Sequence, residues 1–194
     1  SASEAALEIL EVLGNRHQVN NARRGVALLN WKRGRLEAAL QVATRCTREA
    51  DEQQNSTLQS YGRLVKTVVL IHMGRFEDAV ASARDLPQWG TAAEARAAVL
   101  ASQYLADVRL EQGDVIGALE GYEEAYAKSL AVAPKGDVVG DVHGRRAECY
   151  CLMGRTREAY AEAMAALMHW RALGERYEEA ATYRSLAMSA AAMG

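Results

Sequence analysis

The chain has little of anything that stops a helix. It holds two prolines and one phenylalanine in 194 residues, against 37 alanines. Proline fixes φ and removes a backbone donor, so its scarcity leaves helices uninterrupted. Alanine loses no side-chain entropy in a helix, and few β-branched or aromatic residues compete for strands. Cysteine is scarce too: Cys46, Cys149 and Cys151 are an odd number and exclude a disulfide scaffold. A reducing, cytoplasmic setting is expected. No run of eighteen apolar residues is present, so no membrane-spanning helix and no membrane partner are expected. The first residues lack the basic and apolar regions of a signal peptide. Lys plus Arg is 23 against 25 for Asp plus Glu, net −2, and this lack of basic excess argues against a dedicated nucleic-acid binder.

The chemical motifs are missing as well. There is no Gly-x-Ser-x-Gly elbow and no phosphate-binding loop. His17, His72, His143 and His169 are scattered through four different elements. Cys149 and Cys151 on one helix point about 200° apart and cannot share a metal. No catalytic residue, metal or cofactor is expected, and the chain is read as a non-enzyme. The acid pairs Glu123-Glu124 and Glu178-Glu179 read as solvated helix surface.

What is present is a repeat. Glycines fall at 34, 74, 113 and 154, spaced by 40, 39 and 41, and Gly194 lies 40 further on. Each follows one apolar-periodic stretch and precedes another. Glycine closes a helix in the left-handed region without a Cβ penalty, so each unit reads as helix A, tight turn, helix B. Five residues after each glycine stands Ala39, Ala79, Ala118 or Ala159. Seven before stands Ala27, Thr67, Ala106, Ala147 or Ala187. One small residue on each helix lets the two approach closely. The spacing predicts helices A near 20–33, 57–73, 93–112, 139–153 and 177–193, and helices B near 3–13, 36–52, 76–86, 115–131 and 156–173. A lone hairpin cannot bury its apolar face, so neighbours must stack. One domain over 1–194 is expected, with a partial repeat 1–19, repeats 20–56, 57–92, 93–138 and 139–176, and a partial repeat 177–194. The missing initiator Met and the stop at a repeat turn lead us to expect a piece of a longer protein.

This pattern resembles the tetratricopeptide repeat (TPR). The segment Leu105-Ala106-Asp107-Val108-Arg109-Leu110-Glu111-Gln112-Gly113-Asp114, followed by Ala118, Tyr122 and Ala125, carries the resemblance best. Three features depart from the family: a period near 40 rather than about 34, the near absence of the Pro that usually ends helix B, and Lys66 and Arg146 where Leu is usual. Long-period versions are similar to repeats of bacterial signal-sensing regulators and kinesin light chains. The resemblance implies an all-α fold, an antiparallel helix-hairpin array forming a right-handed superhelix. It also implies a concave groove lined by helices A that binds a protein or peptide, as a scaffold or sensor segment in signal transduction.

By the family's phase the groove takes Arg24, Leu28, Trp31 and Lys32 from the first repeat. The second supplies Tyr61, Val68 and His72, and the third Gln103, Asp107 and Glu111. The fourth supplies Arg145 and Glu148, with Asp141 upstream and Cys151 beyond. Trp31 fits groove exposure or burial equally. Tyr122, Tyr126, Tyr150 and Tyr160 read as core. Residues 1–50 carry 8 Lys/Arg to 5 Asp/Glu and residues 101–150 carry 5 to 9, a polarity that would orient a partner. Alternatives are a small-ligand or signalling-peptide sensor in a transcription regulator, and a homodimer through exposed repeat ends. Arg23, Arg24, Lys32, Arg33 and Arg35 are the residues a nucleic acid would touch.

Overall fold

A computed structural model describes residues 2–14, 16–86 and 92–193. Among them are ten α-helices and no strand. They are α1 (Ala2–Val12), α2 (Arg16–Lys32), α3 (Leu36–Glu52), α4 (Ser56–His72), α5 (Phe76–Arg84), α6 (Ala92–Glu111), α7 (Val115–Val132), α8 (Asp137–Leu152), α9 (Thr156–Leu173) and α10 (Arg176–Met193). The chain falls into two compact units, Ser1–Ala101 and Ser102–Gly194, and the division lies within α6. In the first unit consecutive helices from α1 to α5 pack in pairs, and α2 also meets α4. In the second, α7 packs on α8, α8 on α9 and α9 on α10, and α8 also meets α10. The first Pro-bearing loop and Trp89 lie outside the described residues.

The turn glycines do what their spacing predicts. Gly34, Gly74, Gly113 and Gly154 have φ of 73°, 70°, 85° and 70°. Behind each, two backbone bonds close the preceding helix. Gly34 N–H donates to Trp31 and Arg35 N–H to Asn30, and the pattern returns at Gly74 with Arg75 and at Gly154 with Arg155. Such bonds satisfy carbonyls that a helix end otherwise leaves open. Three of the four following helices, α3, α5 and α9, then start with acids in the first turn, Glu37, Glu77, Asp78 and Glu158, where the helix dipole favours them.

One turn does this without glycine. Gln54 has φ of 50° and makes the same two bonds, Gln54 N–H to Asp51 and Asn55 N–H to Ala50. Asn55 then caps α4 by accepting from Leu58 N–H at 3.0 Å. A side chain in the left-handed region costs about 1–2 kcal/mol, offset by the roughly 0.5–1 kcal/mol of extra unfolded-chain freedom that glycine brings. Gln54→Gly is therefore expected to stabilise, and Gly74→Ala to destabilise by about 1 kcal/mol. A Cβ at Gly74 meets nothing within 4 Å, so that cost is backbone alone. Thermal melts of the two variants should move in opposite directions by about 2–4 °C.

The hairpin seams close on alanine. Ala39, Ala79, Ala118 and Ala159 are each 0% exposed, and Ala27, Thr67, Ala106 and Ala147 opposite them at most 1%. Ala187, the fifth small residue, is exposed. Larger side chains fill the spaces between hairpins: Leu64, Val69 and Leu70 in α4, Tyr122 in α7, Leu167 and Trp170 in α9. Tyr150 is also buried, but Tyr160 is exposed and does not belong to the core its spacing suggested. The charged residues at the usual leucine position are accommodated rather than buried bare. Arg146 pairs with Glu162 at 2.9 Å and lies over the Tyr126 ring.

Candidate interaction site

Alternate helices touch sideways through side chains that are not aliphatic. In the first unit Arg24 of α2 lies 4.7 Å over the Tyr61 ring of α4. The Trp31 and His72 rings meet edge to face at 5.3 Å, and His72 Nδ1 lies 2.8 Å from the Val68 carbonyl. In the second unit Arg145 of α8 pairs with Asp107 of α6 at 3.2 Å, and Cys151 Sγ lies 3.2 Å from Ser189 Oγ of α10. The partners are 37, 41, 38 and 38 residues apart. This is the sequence repeat in spatial form: two hairpin reversals bring the chain back parallel to itself, one repeat on.

In the second unit the order of contacts shows two of the hairpin reversals. Ser102 meets Lys128, Asp107 meets Tyr122 and Arg109 reaches the Gly117 carbonyl, so α6 and α7 are antiparallel. His143 meets Glu162 and His169 meets the Gly136 carbonyl, so α8 and α9 are antiparallel too.

Asp107 is the centre of a buried polar network. It is 4% exposed; its Oδ1 accepts from Tyr122 Oη at 2.6 Å and pairs with Arg145 Nε. Arg145 also donates to Glu148 at 3.1 Å. The carboxylate of Asp107 beside it raises the Arg145 pKa, while burial first and Asp107 second raise that of Tyr122. One helical turn earlier stand Gln103, 3% exposed, and Asp141. Gln103 Oε1 is buried with no hydrogen-bond partner.

Burial, with the Glu178 carboxylate second, pushes Asp141 up to about 7 from its ordinary 3.8; Arg145 opposes the shift. Between about pH 4 and pH 7 the folded protein therefore holds a proton that the unfolded chain has released, so stability falls as pH rises through that window and then levels off. Asp141 is half-exposed, which trims the effect by solvent screening. Asp141→Asn is expected to flatten this fall. Urea midpoints for both proteins at about pH 5 and about pH 8 check it; an equal fall in the variant would assign the effect to other groups.

The remaining candidates are distributed as follows. Leu28 is half-buried against Ala27, Ala43 and Val65, and Val68 is buried in the core. Trp31 is half-exposed against His72, between the two alternatives its position left open. Lys32, His72 and Glu111 are exposed; Arg24, Tyr61, Arg145 and Glu148 are partly exposed. Arg23, from the basic cluster, is 5% exposed and engaged by Glu11 and Glu49, which removes it from any phosphate-facing set. Glu123 and Glu124 are exposed as expected, but Glu178 is only half-exposed and adds its charge to Asp141. Burial raises the thiols of Cys46 and Cys149 to about 11 and about 12, so both stay protonated at neutral pH and are weak nucleophiles.

Tyr122 and Glu178 are the members of the network that sequence reasoning missed. The signal was available: residues one repeat apart on helices A become neighbours, so Asp107 and Arg145 could have been paired from the period alone. No protein-family model and no curated protein matches the sequence.

Proposed function

We propose that the chain is a non-catalytic recognition module of TPR-like design, binding a polypeptide segment along the faces where alternate helices meet. In that reading the hairpins form a superhelical array, the rows lie on its concave side, and the module is a sensor or scaffold segment of a larger bacterial regulator. The observation that supports it is the contrast between two kinds of seam. Hairpins close on fully buried alanines, whereas alternate helices meet through Arg24 and Tyr61, Trp31 and His72, and Asp107 and Arg145. Packing alone is satisfied by apolar side chains; partly exposed aromatic and arginine side chains are the residue types enriched where polypeptides dock.

The test is capture from native lysate by the immobilised protein, beside a variant carrying Arg24→Glu and Trp31→Ala. A protein retained by the wild type and lost by the variant is the expected result. Equal retention on both, or on neither, overturns the reading.

A second reading, small-ligand sensing, has one observation in its favour. A cavity of about 470 Å³ opens among α3, α4 and α5, lined by residues that include Thr44, Lys66, Leu70, Arg75 and Ser82. That size lies within the usual range of ligand sites. A ligand held there would raise the melting temperature by mass action, and Lys66→Leu would abolish the rise while leaving polypeptide capture intact.

A further inference from the structure

The repeat carries its own comparison for the cavity among α3, α4 and α5. Residues 80 apart hold equivalent places, counted from Gly74 and from Gly154. Arg75 Nε donates to Asp78 at 2.8 Å, and Arg155 Nε donates to Glu158 at 3.0 Å. Ala79 and Ala159 are both fully buried. The hairpins α4–α5 and α8–α9 therefore match side chain for side chain at their turns.

Eight residues to either side of the glycine they differ. Arg146, eight before Gly154, pairs with Glu162, eight after it, at 2.9 Å. In the first unit the same two places hold Lys66 and Ser82. Tyr150, which lies under the Arg155 guanidinium, has Leu70 as its counterpart. Serine thus stands for glutamate and leucine for tyrosine. Lys66, Leu70 and Ser82 all line the cavity of about 470 Å³. The smaller side chains account for the space, and the cation is kept while its carboxylate is not.

Lys66 is half-buried, and among the described residues it has no hydrogen bond or ion pair. The other charges lining the cavity are engaged: Arg75 with Asp78, and Asp85 with Arg63 at 3.5 Å. One positive charge is left over in the wall. A carboxylate beside an ammonium makes a charge-assisted hydrogen bond, roughly twice as strong as a neutral one. Asp78 and Asp85 repel a second negative charge, so a monoanion fits better than a dianion such as a phosphate monoester. Leu40, Leu70 and Ala81 supply apolar wall and Thr44 a hydroxyl, the usual make-up of a small-molecule site.

We propose that this cavity binds a small monocarboxylic acid. Lys66 holds its carboxylate, in the role that Glu162 plays for Arg146, and Leu40, Leu70 and Ala81 cover its apolar body. This rests on the small-ligand reading above and names the chemistry of the ligand.

Calorimetry and thermal melts test it with hexanoate and phenylacetate. Hexanamide and phenylacetamide are the neutral analogues, phenyl phosphate is the dianion, and an acetylated, amidated alanine peptide carries one glutamate. Both acids should bind the wild type and raise its melting temperature. The amides should bind about tenfold or more weakly, the loss that about 1.4 kcal/mol represents. Lys66→Gln should erase that preference, and Lys66→Arg, the residue type of the second unit, should keep it. Arg48→Gln removes an exposed charge from α3 outside the cavity and should change little. Ser82→Glu should supply the carboxylate from the chain itself. It should block the acids, and it should be better tolerated alone than combined with Lys66→Gln. Absence of that coupling overturns the match between the two hairpins. Equal losses in Lys66→Gln and Arg48→Gln reduce the effect to bulk charge and overturn the site. Amides that bind as tightly as the acids overturn the carboxylate and leave the small-ligand reading standing. Tighter binding of phenyl phosphate overturns the monoanion. Tighter binding of the peptide, with the same dependence on Lys66, overturns a small-molecule occupant. If no compound moves the melting temperature, the small-ligand reading falls as well. Circular dichroism of each variant confirms that it is folded.

Discussion

Asp107→Ala is expected to destabilise the second unit by about 2–4 kcal/mol, more than any other single polar truncation in the chain. Removing one partner of a buried ion pair costs more than the pair contributes, because the other charge stays behind unpaired; the usual range is about 3–5 kcal/mol. The lower bound applies here because the Arg145 side chain keeps 32% of its surface exposed and retains Glu148. The variant also strands the Tyr122 hydroxyl in a fully buried setting. Tyr122→Phe is the informative companion: it deletes the hydroxyl with its bond and should cost only about 1 kcal/mol. Urea unfolding followed by circular dichroism measures both. A loss for Asp107→Ala no larger than for Tyr122→Phe would mean that the ion pair carries no weight and that Asp107 serves the tyrosine alone.

Ala118→Leu is expected to be nearly as damaging, through the opposite mechanism. Three added carbons must fit where the α7 backbone lies against α6, beside Gly121, whose own added Cβ would approach the Ala106 Cβ to 2.8 Å. Overpacking of this kind costs about 1–3 kcal/mol, and a helix-helix seam with no space belongs at the upper end. Ala187→Leu is the control. It makes the same chemical change in the partner set of small positions, seven residues before a glycine, on an exposed site, and should alter stability by less than about 0.5 kcal/mol. If the two substitutions cost the same, close approach of the paired helices is not what selects alanine at these positions.

The helices were legible in the sequence because one residue type marks their ends. Four glycines at near-constant spacing placed α3, α4, α7, α8 and α9 to within two or three residues. Where glycine is absent the reading was weaker. Nothing in Gln54 announces a left-handed turn, and α2 begins at Arg16 rather than near 20 because apolar periodicity there gives way to His17, Gln18 and Asn20. Tyr160 was misplaced because alanine alternates with larger residues around it, Ala159-Tyr160-Ala161-Glu162-Ala163-Met164, a pattern that does not single out one face of α9.

The candidate site was half legible. Period and phase selected Gln103, Asp107, Arg145 and Glu148, and the structure brings Asp107, Arg145 and Glu148 into one network. What spacing does not encode is which charges cancel. Arg23 and Arg24 are neighbours of equal formal charge, yet one is enclosed by two glutamates and the other rests on a tyrosine ring. Likewise Asp141 and Asp107 are both acids on helices A, and the ion pair of Arg145 goes to Asp107.

The constant offset between lateral partners has a mechanical consequence. Among the side-chain contacts described above, none joins residues more than 41 apart, and among the described residues packed helices are neighbours or next neighbours in the chain. Each hairpin is therefore held by what lies immediately before and after it. Under tension such a chain yields stepwise, releasing one hairpin at a time from whichever end is weaker, and on relaxation it can rezip from any segment that has survived.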